Sequence, residues 1–137
     1  MHKSCVFCTR RGLKVLYEDA KLYAIADAKP RAKHHLLVVS QEHIPSARDL
    51  RGPGHAELVR SMVRAGGRLL DALEGPSAAM GERVFGFHLP PFNSVAHLHL
   101  HCLAPPFTPW WQHVRYTPFL GTFETAEALL RRLDRPI

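Results

Sequence analysis

The run SVAHLHLHCLAP, residues 94–105, sets His97, His99 and His101 two residues apart, with Leu98, Leu100 and Cys102 alternating with them. Strict alternation has the period of a β-strand, where residues i, i+2 and i+4 project from one face. The spacing predicts a strand over Val95–Leu103 that carries three imidazoles on one face and apolar side chains on the other. Cys102 falls in the apolar set and reads as a buried, unreactive thiol, the usual state of a free cysteine.

The segments around this strand give it neighbours. Residues 13–19, LKVLYED, and 22–28, LYAIADA, read as short strands joined by a turn at Glu18–Lys21, because β-branched and aromatic residues suit a half-buried pleated surface. A third strand runs from His35 to Val39 and ends before Pro45. Its apolar residues Leu36–Val39 are continuous rather than alternating, as in a central strand covered on both faces. ERVFGFHL, residues 82–89, predicts a fourth strand, and PPFNS turns the chain into the fifth. Between Gly54 and Gly75, Leu58, Val59, Met62, Val63, Leu69, Leu70 and Leu73 recur with helical period. Gly66 and Gly67 weaken that helix by about 1 kcal/mol each relative to alanine, or else permit close packing on the sheet. APPFTPWWQH reads as a loop. A short closing helix carries the stripe Phe123, Ala126, Leu129, Leu130, Leu133, with Thr122 as its candidate N-cap. These elements add up to an α+β fold, an antiparallel sheet of about five strands with a long and a short helix packed on one side.

Bulk properties set the frame. The 137 residues fit one domain, with the motifs in about 5–105 and a loop and helix in 106–137. At 46% apolar and 22% charged, the composition is that of a globular chain. No stretch approaches the roughly 20 apolar residues that span a bilayer. The start, MHKSCVFCTR, lacks the apolar core of a secretory signal, so an intracellular setting without membrane association is expected. A formal charge of +6 favours anionic ligands, nucleotides and nucleic acid among them, without selecting one. Trp110 and Trp111 read either as a stacking surface for a nucleic-acid end or as packing residues of their proline-rich loop.

Three aligned histidines admit three chemistries. They could be core or surface histidines satisfied by backbone groups. They could ligate a catalytic zinc, but they spread over about 13 Å of strand, so one ion reaches two more easily than three. Or they could act at phosphorus, because neutral imidazole attacks phosphorus well and leaves it readily.

His97-Leu98-His99-Leu100-His101-Cys102-Leu103 matches the alternating signature of the histidine triad (HIT) family of nucleotide hydrolases and transferases. With CVFC, AIADAKPRAKHHLLVVSQEHI and GFHLPPFNSVAHLHLHCLAP, the resemblance extends over about Cys5–Pro105. It is strongest to the third branch of the histidine triad nucleotide-binding proteins, which are adenosine phosphoramidases, and next to the catalytic domain of aprataxin. The resemblance implies release of AMP from an amine or acyl group through AMP covalently held on His99, with no catalytic cofactor. The alternatives are removal of AMP from adenylated DNA ends, and a nucleotide-binding scaffold. By the same resemblance His101 contacts the phosphate, His97 orients the site and Ser94 hydrogen-bonds the phosphate or departing group. His35 lies near the leaving group and protonates it. Asp27 accepts from the ribose hydroxyls, and Ile25 and Ala28 bed the adenine. His34, facing the other way, is structural. His88 and Asn93 stand in a turn that departs from the asparagine and glycine-rich pattern of many members, which puts the second half of the substrate in question. A homodimer is expected by family analogy.

Cys5 and Cys8 have ligand spacing, and such a pair in a reducing compartment means metal binding or redox chemistry. A structural zinc site needs four ligands. The resemblance to bacterial members supplies the others as His43 and His97.

Overall fold

The continuous apolar run Leu36–Val39 lies at the centre of the sheet. The protein is seen here as a computed structural model, which describes residues 4–75, 83–118 and 121–135. The strands are β1 (Tyr17–Glu18), β2 (Leu22–Ala26), β3 (Ala32–Ser40), β4 (Val84–His88), β5 (His99–Phe107) and β6 (Phe123–Thr125). All pair antiparallel in the order β1-β2-β3-β5-β4-β6. The helices are α1 (Val6–Thr9), α2 (Gly52–Glu74) and α3 (Ala126–Leu133).

Pleating separates two layers. Leu36, Val38, Leu100, Cys102 and Ala104 face α2 and α3, meeting Val59, Met62, Leu70 and Leu129 in the main core. The opposite face carries Tyr23, Ile25, Leu37 and Val39 under Phe7 of α1. The register pairs Leu37 with His101 and Val39 with His99, which puts the histidines on that second face, away from the long helices. Cys102 is fully buried, and burial pushes its thiol pKa up, so it is inert as expected.

The glycines of α2 do not interrupt it. Gly66 is buried against β5, where an added Cβ would collide with the Cys102 sulfur, whereas Gly67 faces open space. Close packing on the sheet therefore explains the first glycine and not the second. Leu73, expected in the apolar stripe, is 51% exposed.

Several boundaries differ from expectation. A sixth strand, β6, pairs with β4 where the closing helix was expected to begin. That helix starts at Ala126, capped by the Thr125 hydroxyl, which accepts from Ala128 N–H at 3.1 Å. Thr122 is not the cap. Phe123 has helical spacing to Ala126 and Leu130, but its ring is drawn into the site wall described below. Residues 13–19 contribute only Tyr17–Glu18 as strand. The fourth strand starts at Val84, and Glu82 lies outside the described residues. The fifth begins at His99 rather than Val95, because residues 94–97 form a bend. It continues through Pro105 and Pro106 to Phe107, where a loop was expected. The prolines fit because the register against β3 shifts between Ala32 and His34, so the ladder requires no N–H there.

Candidate active site

β5 brings two of the three histidines into the site on its own pleat, and the bend before it brings the third. His97, His99 and His101 are all buried. Backbone groups, whose roles as donor or acceptor are unambiguous, fix where each ring carries its hydrogen. His97 Nε2–H donates to the Ser40 carbonyl at 2.7 Å, which leaves Nδ1 as a lone pair. His99 Nδ1–H donates to the His97 carbonyl at 2.6 Å, which leaves Nε2 as its lone pair. Burial holds His99 neutral, with its pKa lowered to about 4.

His101 sits within a chain of three rings. The Arg31 N–H donates to His35 Nδ1 at 3.1 Å, so the His35 hydrogen is on Nε2. From there it reaches His101 Nδ1 at 2.9 Å, with an Asp27 carboxylate oxygen 3.3 Å away. His101 accordingly carries its hydrogen on Nε2, facing His88 Nδ1 at 3.2 Å. His88 Nε2–H ends the chain on the Arg115 carbonyl at 2.7 Å. Between a fixed donor and a fixed acceptor, only one neutral arrangement satisfies all four bonds. Burial lowers the pKa of each ring, His35 to about 4, although the Asp27 charge opposes the shift there. Asp27, His35 and His101 also cluster like metal ligands. The Arg31 N–H keeps a hydrogen on the His35 atom that would have to ligate, so hydrogen bonding accounts for this trio.

A stability test follows. Unfolded imidazoles titrate near 6.5, so between about 6.5 and 4 the unfolded chain binds more protons than the folded one. Stability is therefore full above that window and lost as pH falls through it. Thermal melts from about pH 7 to about pH 4.5 should show a falling Tm, and His35→Leu should flatten the slope.

Tyr116 and Phe123 wall the site beyond His88. Their rings lie 4.9 and 5.2 Å from the His88 ring, and Tyr116 also meets His35 and His101 at 5.6 and 5.4 Å. Gly86, paired with His101, makes room, since a Cβ there would collide with the Phe123 ring.

A second cluster adjoins the first. Cys5, Cys8, His43 and His97 offer four ligand atoms within 4.8 Å of one another, a group that could hold a metal ion. His97 Nδ1 lies 3.4 Å from Cys5 Sγ, 3.5 Å from Cys8 Sγ and 3.1 Å from His43 Nδ1, which is 3.2 Å from Cys8 Sγ. Phe7, between the cysteines, lays its ring edge-on to both His97 and His99. The Tyr23 hydroxyl ties this arm down by donating to the Phe7 carbonyl at 2.5 Å.

The family model described as "Scavenger mRNA decapping enzyme C-term binding" matches residues 4–117. The bifunctional adenosine 5'-phosphosulfate phosphorylase/adenylylsulfatase HINT4 of Arabidopsis thaliana is 41% identical, over 100% of this chain and 95% of its own length. Adenosine 5'-monophosphoramidase HINT3 of Mus musculus is 40% identical, over 74% of this chain and 64% of its own. Among solved structures, a HIT family hydrolase from Clostridium thermocellum superposes with a TM-score of 0.66 at 24% identity, covering 77% of this chain and 94% of that one.

The chain belongs to the histidine triad family. The structure gathers His35, Asp27, His88, His99 and His101 in one place, with His97 and His43 meeting the cysteines beside it. Ser94 is exposed on the bend ahead of the triad, and the Asn93 amide donates to the Val95 carbonyl at 3.4 Å. Ile25 is buried in the arm cluster, Ala28 is exposed, and His34 is half-buried. Trp110 and Trp111 are 75% and 52% exposed, and Trp110 stacks on His113 within its own loop. The sequence reading missed Tyr116 and Phe7. Only chain reversal brings Tyr116 to the triad, whereas Phe7 could have been suspected from its place between two ligand-spaced cysteines. Among the described residues no helix is long and apolar enough to cross a membrane.

Proposed function

We propose that this triad protein is a nucleotide hydrolase that releases AMP from an amine or acyl leaving group through AMP held covalently on His99. The observation that carries the reading is the His99 ring, neutral and tied at Nδ1, with its lone pair on Nε2. In the first step Nε2 bonds to phosphorus and the bond to the leaving group breaks, the departing nitrogen taking a proton. In the second, water attacks phosphorus, AMP leaves and the ring regains its lone pair. His35, His101 and His88 are neutral in the free protein. The charge of a bound phosphate favours their protonated forms, so nucleotide binding itself readies His35 and His101 to pass a proton to the departing group.

Cys5, Cys8, His43 and His97 are assigned a structural zinc ion. Around zinc, with bonds of about 2.3 Å to sulfur and 2.0–2.1 Å to nitrogen, tetrahedral edges come to about 3.5 Å for S···N and about 3.3 Å for N···N. The three S···N and one N···N separations described above, 3.1–3.5 Å, fit that size. When bound, the ion supplies rigidity, and His97 joins it to the catalytic face.

A second leaving group, sulfate, is favoured by the relative named adenylylsulfatase, which aligns over the entire chain. Purified protein should release AMP from an adenosine phosphoramidate, from an acyl adenylate and from adenosine 5'-phosphosulfate. The ranking of the three kcat/KM values identifies the leaving group, and no AMP from any of them would overturn the reading.

A further inference from the structure

Tyr116 stands at the end of a run, from Arg83 to Phe123, that contains no Asp or Glu. Its side chain is 4% exposed, wedged edge-on between His35 and His101 and tilted over His88. Arg115 beside it holds His88 through its carbonyl, so the phenol is seated on the same frame as the catalytic rings. A phenylalanine would pack this wall equally well. The hydroxyl is different: among the described residues no group hydrogen-bonds it, and it is not sealed from the site opening. With no protein partner and open to the site mouth, the hydroxyl is free to bond a ligand that enters there. Burial raises its pKa, so it arrives as a donor; the charges that reach it are those of Arg115, Asp27 and Arg31.

We propose that Tyr116 is a nucleotide-contacting residue whose hydroxyl donates to a sugar hydroxyl oxygen, while the Asp27 carboxylate accepts from the same sugar. The inference rests on the nucleotide reading above. A sugar hydroxyl both donates and accepts, and an ionised carboxylate only accepts. Asp27 alone would therefore leave the acceptor half of that group without a protein partner. The phenol supplies the missing half and makes the pair specific for ribose over deoxyribose.

The test uses the full chain and Tyr116→Phe, with Kd measured by calorimetry for AMP, 2'-deoxy-AMP and 3'-deoxy-AMP. Wild-type protein should prefer AMP over at least one deoxy analogue. The variant should bind AMP roughly 3–10-fold more weakly, with that preference shrunk by the same factor and Tm unchanged. Unaltered AMP affinity, or an equal loss for all three ligands, would overturn the proposal. Wild-type protein that binds no AMP would instead overturn the nucleotide reading, so the two failures are told apart by the wild-type titration.

Discussion

His99→Ala should abolish turnover, lowering kcat by about 10⁴-fold or more, with folding retained and AMP binding largely kept. The expectation follows from bonding rather than from position in a motif. The His99 Nδ1–H is committed to the His97 carbonyl at 2.6 Å, so the nitrogen that remains is necessarily a lone pair. Burial keeps it unprotonated across the physiological range. Neither neighbour can take its place. His97 donates from Nε2 to Ser40 and turns its lone pair toward the cysteines. His101 accepts from His35 at Nδ1 and holds a hydrogen on Nε2. Two measurements separate loss of the nucleophile from collapse of the site: AMP-labelled protein trapped at short times should vanish in the variant, and added imidazole should restore some turnover to His99→Gly. A variant that still forms labelled protein would place the covalent link elsewhere.

Removal of the proposed zinc should have the largest effect on stability. Four ligands from three separate parts of the chain converge on one point: the arm, the turn after β3, and the bend before β5. An ion there cross-links these segments, and the native state gains its binding energy relative to an unfolded chain whose ligands are scattered. For a domain of this size about 3 kcal/mol corresponds to about 10 °C in Tm, which sets the scale expected for Cys5→Ser or for exhaustive chelation. Elemental analysis should find one zinc per chain in the wild-type protein. Metal-free protein with unchanged melting in Cys5→Ser would refute the assignment. Cys102→Ser serves as the contrast, because that buried thiol meets Gly66 and lies on the other side of the sheet.

How much of this was legible depends on whether the signal was local. The alternation at 97–101, the continuous run at 36–39 and the helical stripe of α2 are short-range patterns, and each led to an element of the right type. The pleat accounts for His99 and His101, whereas His97 reaches the site from the bend before the strand. What escaped the sequence reading depends on partners distant in the chain. β6 is three residues long and exists because β4 offers an edge. The strand through Pro105 and Pro106 is permitted by a bulge opposite Ala32–His34, which no local rule announces. The His35–His101–His88 chain needed coordinates, since its direction is set by two backbone groups, at Arg31 and Arg115, that carry no side-chain signature. The departure at His88 was visible as a residue out of pattern, but its partners were not.

His97 is engaged at three points, with one ring nitrogen toward the sulfurs, the other on Ser40, and its carbonyl under His99. Scaffold and reactivity thus converge on a single residue and cannot be tuned apart there. A substitute that preserved the proposed ion, such as cysteine, would surrender the tether to Ser40, while one that preserved the tether would abandon the ion. Any attempt to harden or relax this protein by redesign should leave position 97 alone and work through the helical layer, which packs on the other face of the sheet.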